Sequence, residues 1–304
     1  MIIKKRTILF LLLITMTMNA QLQLTHESEV SILTFGPGAS LNDAFGHTAI
    51  RIKDPLYNFD IVFDYGRYDF ETEGFYLKFA QGKLDYQIGR AEFDAVFSDY
   101  QYLNRSIKEQ QLNLSTAQKT AFYHFLIENV KPENQSYPYD FFYNNCATKI
   151  IDGIETILND PLVYTPPPEF EPQTFRNLIR SDLNQNSWGS LGIDIALGSK
   201  IDQIATVEEH LFLPKNLYLL LENAHTKTGT IGIVSTSKTL SPSDAIAQHN
   251  FFSSPLFILG ILALLMLLIT YTDFKKNKRS HWLDVCLFAI TGLIGVGLLL
   301  LWFA

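Results

Sequence analysis

Three largely apolar blocks mark the chain, Ile8–Met18, Pro255–Tyr271 and Leu283–Phe303, the last with Asp284 at its edge. Between the first two, the pattern changes from strand-like to helix-like. Val30–Phe35 is a short apolar run that ends in the turn Gly36-Pro-Gly38. Thr48–Lys53 and Asn58–Tyr65 alternate with period two around Asp54-Pro55, which predicts an antiparallel hairpin. Further on, Ser115-Thr-Ala-Gln118 reads as a capping box opening a helix over Ala117–Val130, ended by Lys131-Pro132. A second helix is predicted from Cys146 to Leu158, where Ala147, Ile150, Ile151 and Ile154 recur at helical spacing before Asn159-Asp-Pro161. Tyr164–Pro172 reads as a polyproline-like connector, Thr174–Asp182 as the start of another helix, and Gly229–Ser235 as a last strand. Ser235–Asn250, rich in Ser and Thr, is expected to link to the second apolar block. Strands first and helices later describe an α+β domain.

The outer blocks set the location. Met1-Ile-Ile-Lys-Lys-Arg followed by an apolar stretch and Asn19-Ala20 describes a secretory signal peptide over residues 1–20, with an uncleaved anchor as the alternative. Phe251–Tyr271 is long enough to cross a bilayer, which takes about 20 apolar residues, and Leu283–Phe303 nearly so. Thr272–Trp282 between them holds Lys275, Lys276, Lys278 and Arg279 against Asp273. Basic loops stay cytoplasmic, so residues 21–250 are expected in the periplasm of a bacterium, tethered to its inner membrane through spans 251–271 and 283–303 around a cytoplasmic loop 272–282.

Charge narrows the partners. Residues 21–250 carry 17 Lys+Arg against 29 Asp+Glu, a net of −12, and an acidic surface without a basic stripe argues against nucleic acid. The chain has two cysteines, Cys146 and Cys286, and the second lies within an apolar span. Cys146 therefore has no disulfide partner in its own domain. A lone exported thiol is either buried and inert or retained for reactivity.

Position favours reactivity. Tyr143-Asn-Asn-Cys146-Ala-Thr puts the thiol in the first turn of a helix, where unpaired N–H groups and the dipole stabilise a thiolate. Asn144 or Asn145 would cap that helix. Asn145 and Ala147 mark the helix start whose backbone would form an oxyanion site. A thiolate nucleophile needs a proton shuttle, usually histidine. His26 and His249 sit at the domain ends, His124 among Phe122, Tyr123 and Phe125, and His210 and His225 flank an apolar stretch. His47, after Phe45-Gly46 at the start of a strand, is the candidate; the alternative for it is one structural hydrogen bond. Asp64 is the expected orienting acid, across the hairpin from His47, with Asp60 and Asp140 as substitutes. Tyr65, Arg67 and Tyr143, adjacent to these residues in sequence, are candidates for substrate contact. Phe141, Phe142, Phe170, Trp188 and Phe212 are candidates for an acyl groove or ordinary core. No metal-ligand spacing, phosphate loop or Gly-x-Ser-x-Gly is present, and the chemistry requires no cofactor.

A histidine on an early strand followed by an Asn-Cys helix start resembles the permuted papain-like order of NlpC-type peptidase relatives and lecithin:retinol acyltransferases. More specifically, Phe45-Gly-His-Thr-Ala-Ile-Arg51, Asp64-Tyr-Gly66, Phe75-Tyr-Leu-Lys-Phe79, Asn104-Arg105, Pro132-Glu-Asn134 and Tyr139-Asp-Phe-Phe-Tyr-Asn-Asn-Cys-Ala-Thr148 resemble the Lnb family of Bacteroidetes. The resemblance covers most of residues 30–220. It implies a permuted papain-like exported domain followed by transmembrane helices. The activity it implies is lipoprotein N-acylation, with a phospholipid as acyl donor and a diacylglyceryl-lipoprotein as acceptor. Nucleophile and base carry over onto Cys146 and His47. The rival readings are an exported cysteine peptidase or amidase acting on cell-wall peptide, and a non-enzymatic membrane-anchored binding protein.

Overall fold

The computed structural model describes residues 22–69, 71–74, 78, 83–243 and 250–303. The expected signal peptide, His249 and most of Phe75–Phe79 lie outside the described residues. In chain order the elements are β1 (Glu29–Phe35), β2 (His47–Asp54), β3 (Phe59–Arg67), β4 (Asp85–Glu92), α1 (Phe93–Tyr102), β5 (Ile107–Leu112), α2 (Thr116–Asn129), β6 (Ser136–Pro138), α3 (Cys146–Leu158), β7 (Leu162–Val163), α4 (Phe175–Arg180), α5 (Trp188–Leu197), α6 (Pro214–Leu221), β8 (His225–Thr226), β9 (Val234–Ser241), α7 (Pro255–Lys275) and α8 (His281–Phe303).

Seven strands form one antiparallel sheet in the order β6-β4-β3-β2-β1-β5-β9. The central strands are buried on both faces, so period-two alternation separates two covered faces rather than core from solvent. One face, with Ile50, Ile52, Phe63 and Tyr65, packs under α2, α3 and α6 through Phe122, Leu126, Ala147, Ile150, Ile154 and Leu217. The other, with Leu33, Phe35, Ala49 and Val62, packs under α1 through Phe93, Val96, Phe97 and Tyr100. A separate cluster of Phe175, Leu178, Ile179, Phe212 and Leu213 joins the helical segment 175–213 to Phe45, Phe141 and Phe142.

The α+β expectation holds, with His47 on the sheet ahead of Cys146 on the helix crossing it, as the permuted order requires. The expected hairpin is present, but its register differs. Ile50 faces Phe63 and Ile52 faces Ile61, which extrapolates to Gly66, not Asp64, opposite His47. The last strand lies later than Gly229–Ser235. Val234–Ser241 occupies part of the supposed linker and pairs with β5 as an exposed edge. Its Ser and Thr residues suit a strand with little to bury. The apolar helices begin at Pro255 and His281, because Ser254 caps the first of them through Phe257 N and Pro255 takes its first position. Both are long and apolar enough to cross a membrane, and almost all of their surface is uncovered.

Candidate active site

The sulfur is placed by its cap. Asn145 is 3% exposed. Its Oδ1 accepts from the N–H groups of Ala147 (2.8 Å) and Thr148 (3.0 Å), and its Nδ2 donates to the carbonyls of Phe141 and Phe212, both at 2.8 Å. Thr148 Oγ1 in turn accepts from the Asn145 N–H at 2.8 Å, completing a reciprocal box. Three of these bonds close the helix start on itself, and the two donated by Nδ2 fix it against the 141–144 turn and the Phe212 segment. They also revise the oxyanion expectation. The Ala147 N–H is committed to the cap, whereas the Cys146 N–H has no hydrogen-bond partner among the described residues. Cys146 itself supplies the free donor.

His47 arrives at the same point from the sheet. Gly46 before it has φ +77°, and a Cβ there would lie 2.5 Å from the Phe35 carbonyl, so only glycine lets the chain turn into β2. Arg105 holds the entering loop, donating through Nε to Gly36 O at 2.8 Å and pairing with Asp43 at 3.3 Å. The imidazole stacks beside Phe35, with ring centres 6.2 Å apart. Gly66, at φ +98° beside a break in the β3–β4 register, is where the two side chains meet. A Cβ at that glycine would lie 3.6 Å from Cys146 Cβ and 3.8 Å from His47 Cε1.

Asp64 completes the set diagonally across the hairpin. Its Oδ2 lies 3.5 Å from His47 Nε2, which leaves Nδ1 as the ring nitrogen for the sulfur. Its Oδ1 accepts from Arg67 Nε (2.9 Å) and Nη2 (2.5 Å). The substitutes are committed elsewhere. Asp60 pairs with Arg51, and Asp140 accepts from the N–H groups of Phe142 and Tyr143.

The electrostatics favour charge separation. Burial works against an imidazolium, but the neighbouring thiolate and Asp64 outweigh it and hold His47 well above its ordinary value. Burial likewise works against the thiolate, yet His47 and the hydroxyl and N–H of Thr48 bring Cys146 below its ordinary value. For Asp64, burial is outweighed by His47 and Arg67, so it stays ionised. Both shifts run toward a thiolate beside an imidazolium at a half-buried sulfur.

The remaining candidates separate. Tyr65 is 2% exposed, stacked edge-on against Tyr137 in the core, so it supports the site rather than lining it. Arg67 is half-exposed beside Asp64. Tyr143 is exposed, its hydroxyl donating to Glu209 at 3.3 Å. Phe212 is core, Phe141 and Phe142 pack against it, and Phe170 lies over His210. His210 is structural, its two nitrogens engaging Thr206 O and Gln173 N–H. Sequence reasoning missed Thr48 and the buried phenols of Tyr137 and Tyr139. Burial and the nearby thiolate push both phenols upward. Alternation along β2 turns Thr48 to the face opposite His47, but no local signal says which helix covers that face.

Residues 15–181 match the Lnb N-terminal periplasmic domain, and residues 247–304 match the Lnb transmembrane domain. No curated protein matches the chain. Among solved structures, the type VI secretion system effector TseH is similar over 49% of this chain and 82% of its own, at 14% identity and a TM-score of 0.31. A similarity that low carries no argument about activity.

Proposed function

The chain belongs to the Lnb family, and on that premise we propose that it is a lipoprotein N-acyltransferase of the bacterial inner membrane. Its periplasmic domain would move an acyl chain from a phospholipid, through a Cys146 thioester, to the α-amino group of a diacylglyceryl-cysteine lipoprotein. The observation that carries this reading is that Cys146 and His47 meet at Gly66, with shifts that favour a thiolate beside an imidazolium, on a domain followed by helices that match the Lnb transmembrane domain.

The chemistry follows from the atoms in place. The Cys146 thiolate, its proton already on His47 Nδ1, attacks the ester carbonyl of the donor. The free Cys146 N–H, at the positive end of α3, faces the oxyanion that forms. Collapse expels the glycerol oxygen, which takes the proton from His47 and leaves as a lysophospholipid. The acyl group remains on sulfur as a thioester. The lipoprotein amine then attacks that carbonyl, His47 accepts its proton, and the amide departs as the thiolate is restored. Asp64 stays ionised throughout and holds the ring so that Nδ1 faces sulfur. Two half-reactions on one nucleophile give ping-pong kinetics. Since both substrates are lipids held in the same bilayer, the tether replaces capture from solution with lateral diffusion.

The test is the full chain in phospholipid vesicles with a synthetic diacylglyceryl-cysteine peptide, its N-terminus followed by mass spectrometry. An N-acylated peptide is expected, and none with Cys146→Ser. Product that survives Cys146→Ser would remove the covalent route. Cleavage of muropeptide without transfer would replace this reading with a cell-wall peptidase.

A further inference from the structure

The helix α5 carries apolar side chains on its outward face as well as its inward one. Its inward face carries Asp194, ion-paired to Arg176 at 2.8 Å and Arg180 at 2.6 Å, and the buried Ser190. Its outward stripe is Trp188, Leu191, Gly192 and Ile195, with Trp188 50% and Ile195 41% exposed. Ile193 and Leu197 pack inward on the Phe175 cluster, so the outward stripe is apolar surface beyond what the fold buries, and in water such an exposed stripe marks a surface awaiting a partner.

The neighbours of α5 say what that partner is. Trp188 Nε1 donates to Ser253 O at 2.9 Å, Asn186 Nδ2 to Ser254 Oγ at 3.0 Å, and Leu256 N to Asn186 Oδ1 at 3.1 Å. Those three bonds fasten the start of α5 to the first residues of α7, the helix that enters the membrane, and α5 also packs against α8. Beside this junction Phe251 and Phe252 are 52% and 70% exposed and stack edge-on with Phe257. Exposed aromatic rings, among them Trp188 with its polar N–H, placed where a spanning helix leaves the bilayer, describe the membrane–water interface. The apolar stripe of α5 is therefore continuous with the surface of a membrane span.

We propose that α5, with the Phe251–Ser253 turn, lies in the periplasmic face of the lipid bilayer, its Trp188–Ile195 stripe among the acyl-chain ends of the headgroup region. The consequence reaches the active site. Leu41, in the loop that delivers His47, packs on α5 at Gly189, where a Cβ would lie 2.8 Å from Leu41 Cδ1. The bilayer surface thus sits one contact from the His47 loop. The proposal rests on the membrane anchoring alone and stands whether or not the acyl-transfer reading does.

The experiment is a nitroxide at position 195 (Ile195→Cys, with Cys146→Ser and Cys286→Ser) on the full chain. The chain is reconstituted in vesicles of phosphatidylethanolamine and phosphatidylglycerol, and collision rates with oxygen and with a water-soluble nickel chelate are compared. Oxygen collisions are expected to dominate, as for a lipid-facing label. A label that meets the nickel chelate freely would overturn the proposal, and so would one shielded from both, which would mean a protein partner covers the stripe. A second measurement leaves Ile195 intact: Trp188 fluorescence in the Trp282→Phe/Trp302→Phe chain, with lipids brominated near the headgroup. Strong quenching is expected, and none would refute the placement.

Discussion

Asn145 fixes the sulfur through four hydrogen bonds, two accepted and two donated. Replacing it with alanine removes the helix cap, which costs about 1 kcal/mol. The buried carbonyls of Phe141 and Phe212 also lose their donor, and a buried polar group stripped of its partner costs about 1–3 kcal/mol. Together these put Asn145→Ala at about 3 kcal/mol, or roughly 6–12 °C in the thermal midpoint for a domain of this size. Asn145→Asp separates the two contributions. Aspartate caps as well as asparagine, but it donates nothing, and its charge beside the thiolate raises the thiol pKa. The assay is thermal unfolding of the detergent-solubilised chain, paired with the pH dependence of Cys146 alkylation in a Cys286→Ser background. Asn145→Ala should lose the full amount. Asn145→Asp should lose at least as much despite keeping the cap, because its second oxygen faces the two carbonyls, and it should also move the onset of alkylation to higher pH. If Asn145→Ala stays within about 0.5 kcal/mol of the parent, the ordinary range for a surface change, the cap does not hold the nucleophile as described.

Three further outcomes follow from the same geometry. The parent thiolate should persist across neutral pH. It is lost at the acid end as pH falls through the lowered Cys146 pKa, while the imidazolium is lost at the alkaline end as pH rises through the raised His47 pKa. In His47→Gln, burial is no longer outweighed, so alkylation should begin only above about pH 8.5, the ordinary thiol value, and an unshifted onset would contradict the pairing. Gly66→Ala forces a side chain to φ +98° and should cost about 1–2 kcal/mol in denaturant titration. The methyl fits beside Cys146 and His47, so a parent-like stability would mean that the positive φ is not required. Arg105→Ala strips the Gly36 carbonyl of a charged donor, at about 2 kcal/mol. Limited proteolysis should then cut within residues 37–46, and a resistant loop would count against its role.

The candidate pair Cys146 and His47 is legible in the sequence because each residue is announced locally, Cys146 by an Asn-Cys helix start and His47 by a glycine at a strand entrance. Asp64 lies beside His47 although the expected register is two residues off, since His47 reaches it diagonally rather than directly across. Period two preserves the face even when the pairing slips by two. Thr48, Tyr137 and Tyr139 could not be found that way. Alternation tells which side a residue faces, not which helix will cover that side. Tyr65 fails as a substrate contact for the same reason, because α3 roofs its face of the sheet. The Ala147 N–H fails as an oxyanion donor because the cap spends both lone-pair directions of one amide oxygen on successive N–H groups, leaving only Cys146 free. The α5 stripe stays hidden in a sequence reading that assumes water around the domain, where Trp188 counts as core.

The central claim is that an acyl chain rests on Cys146. Intact-mass spectrometry of the purified chain after incubation with phospholipid, without acceptor, tests it directly. The mass should rise by one acyl group, the modified peptide should contain Cys146, and neutral hydroxylamine should release it. A chain that N-acylates added lipoprotein peptide while its Cys146 never carries an acyl group would contradict the account.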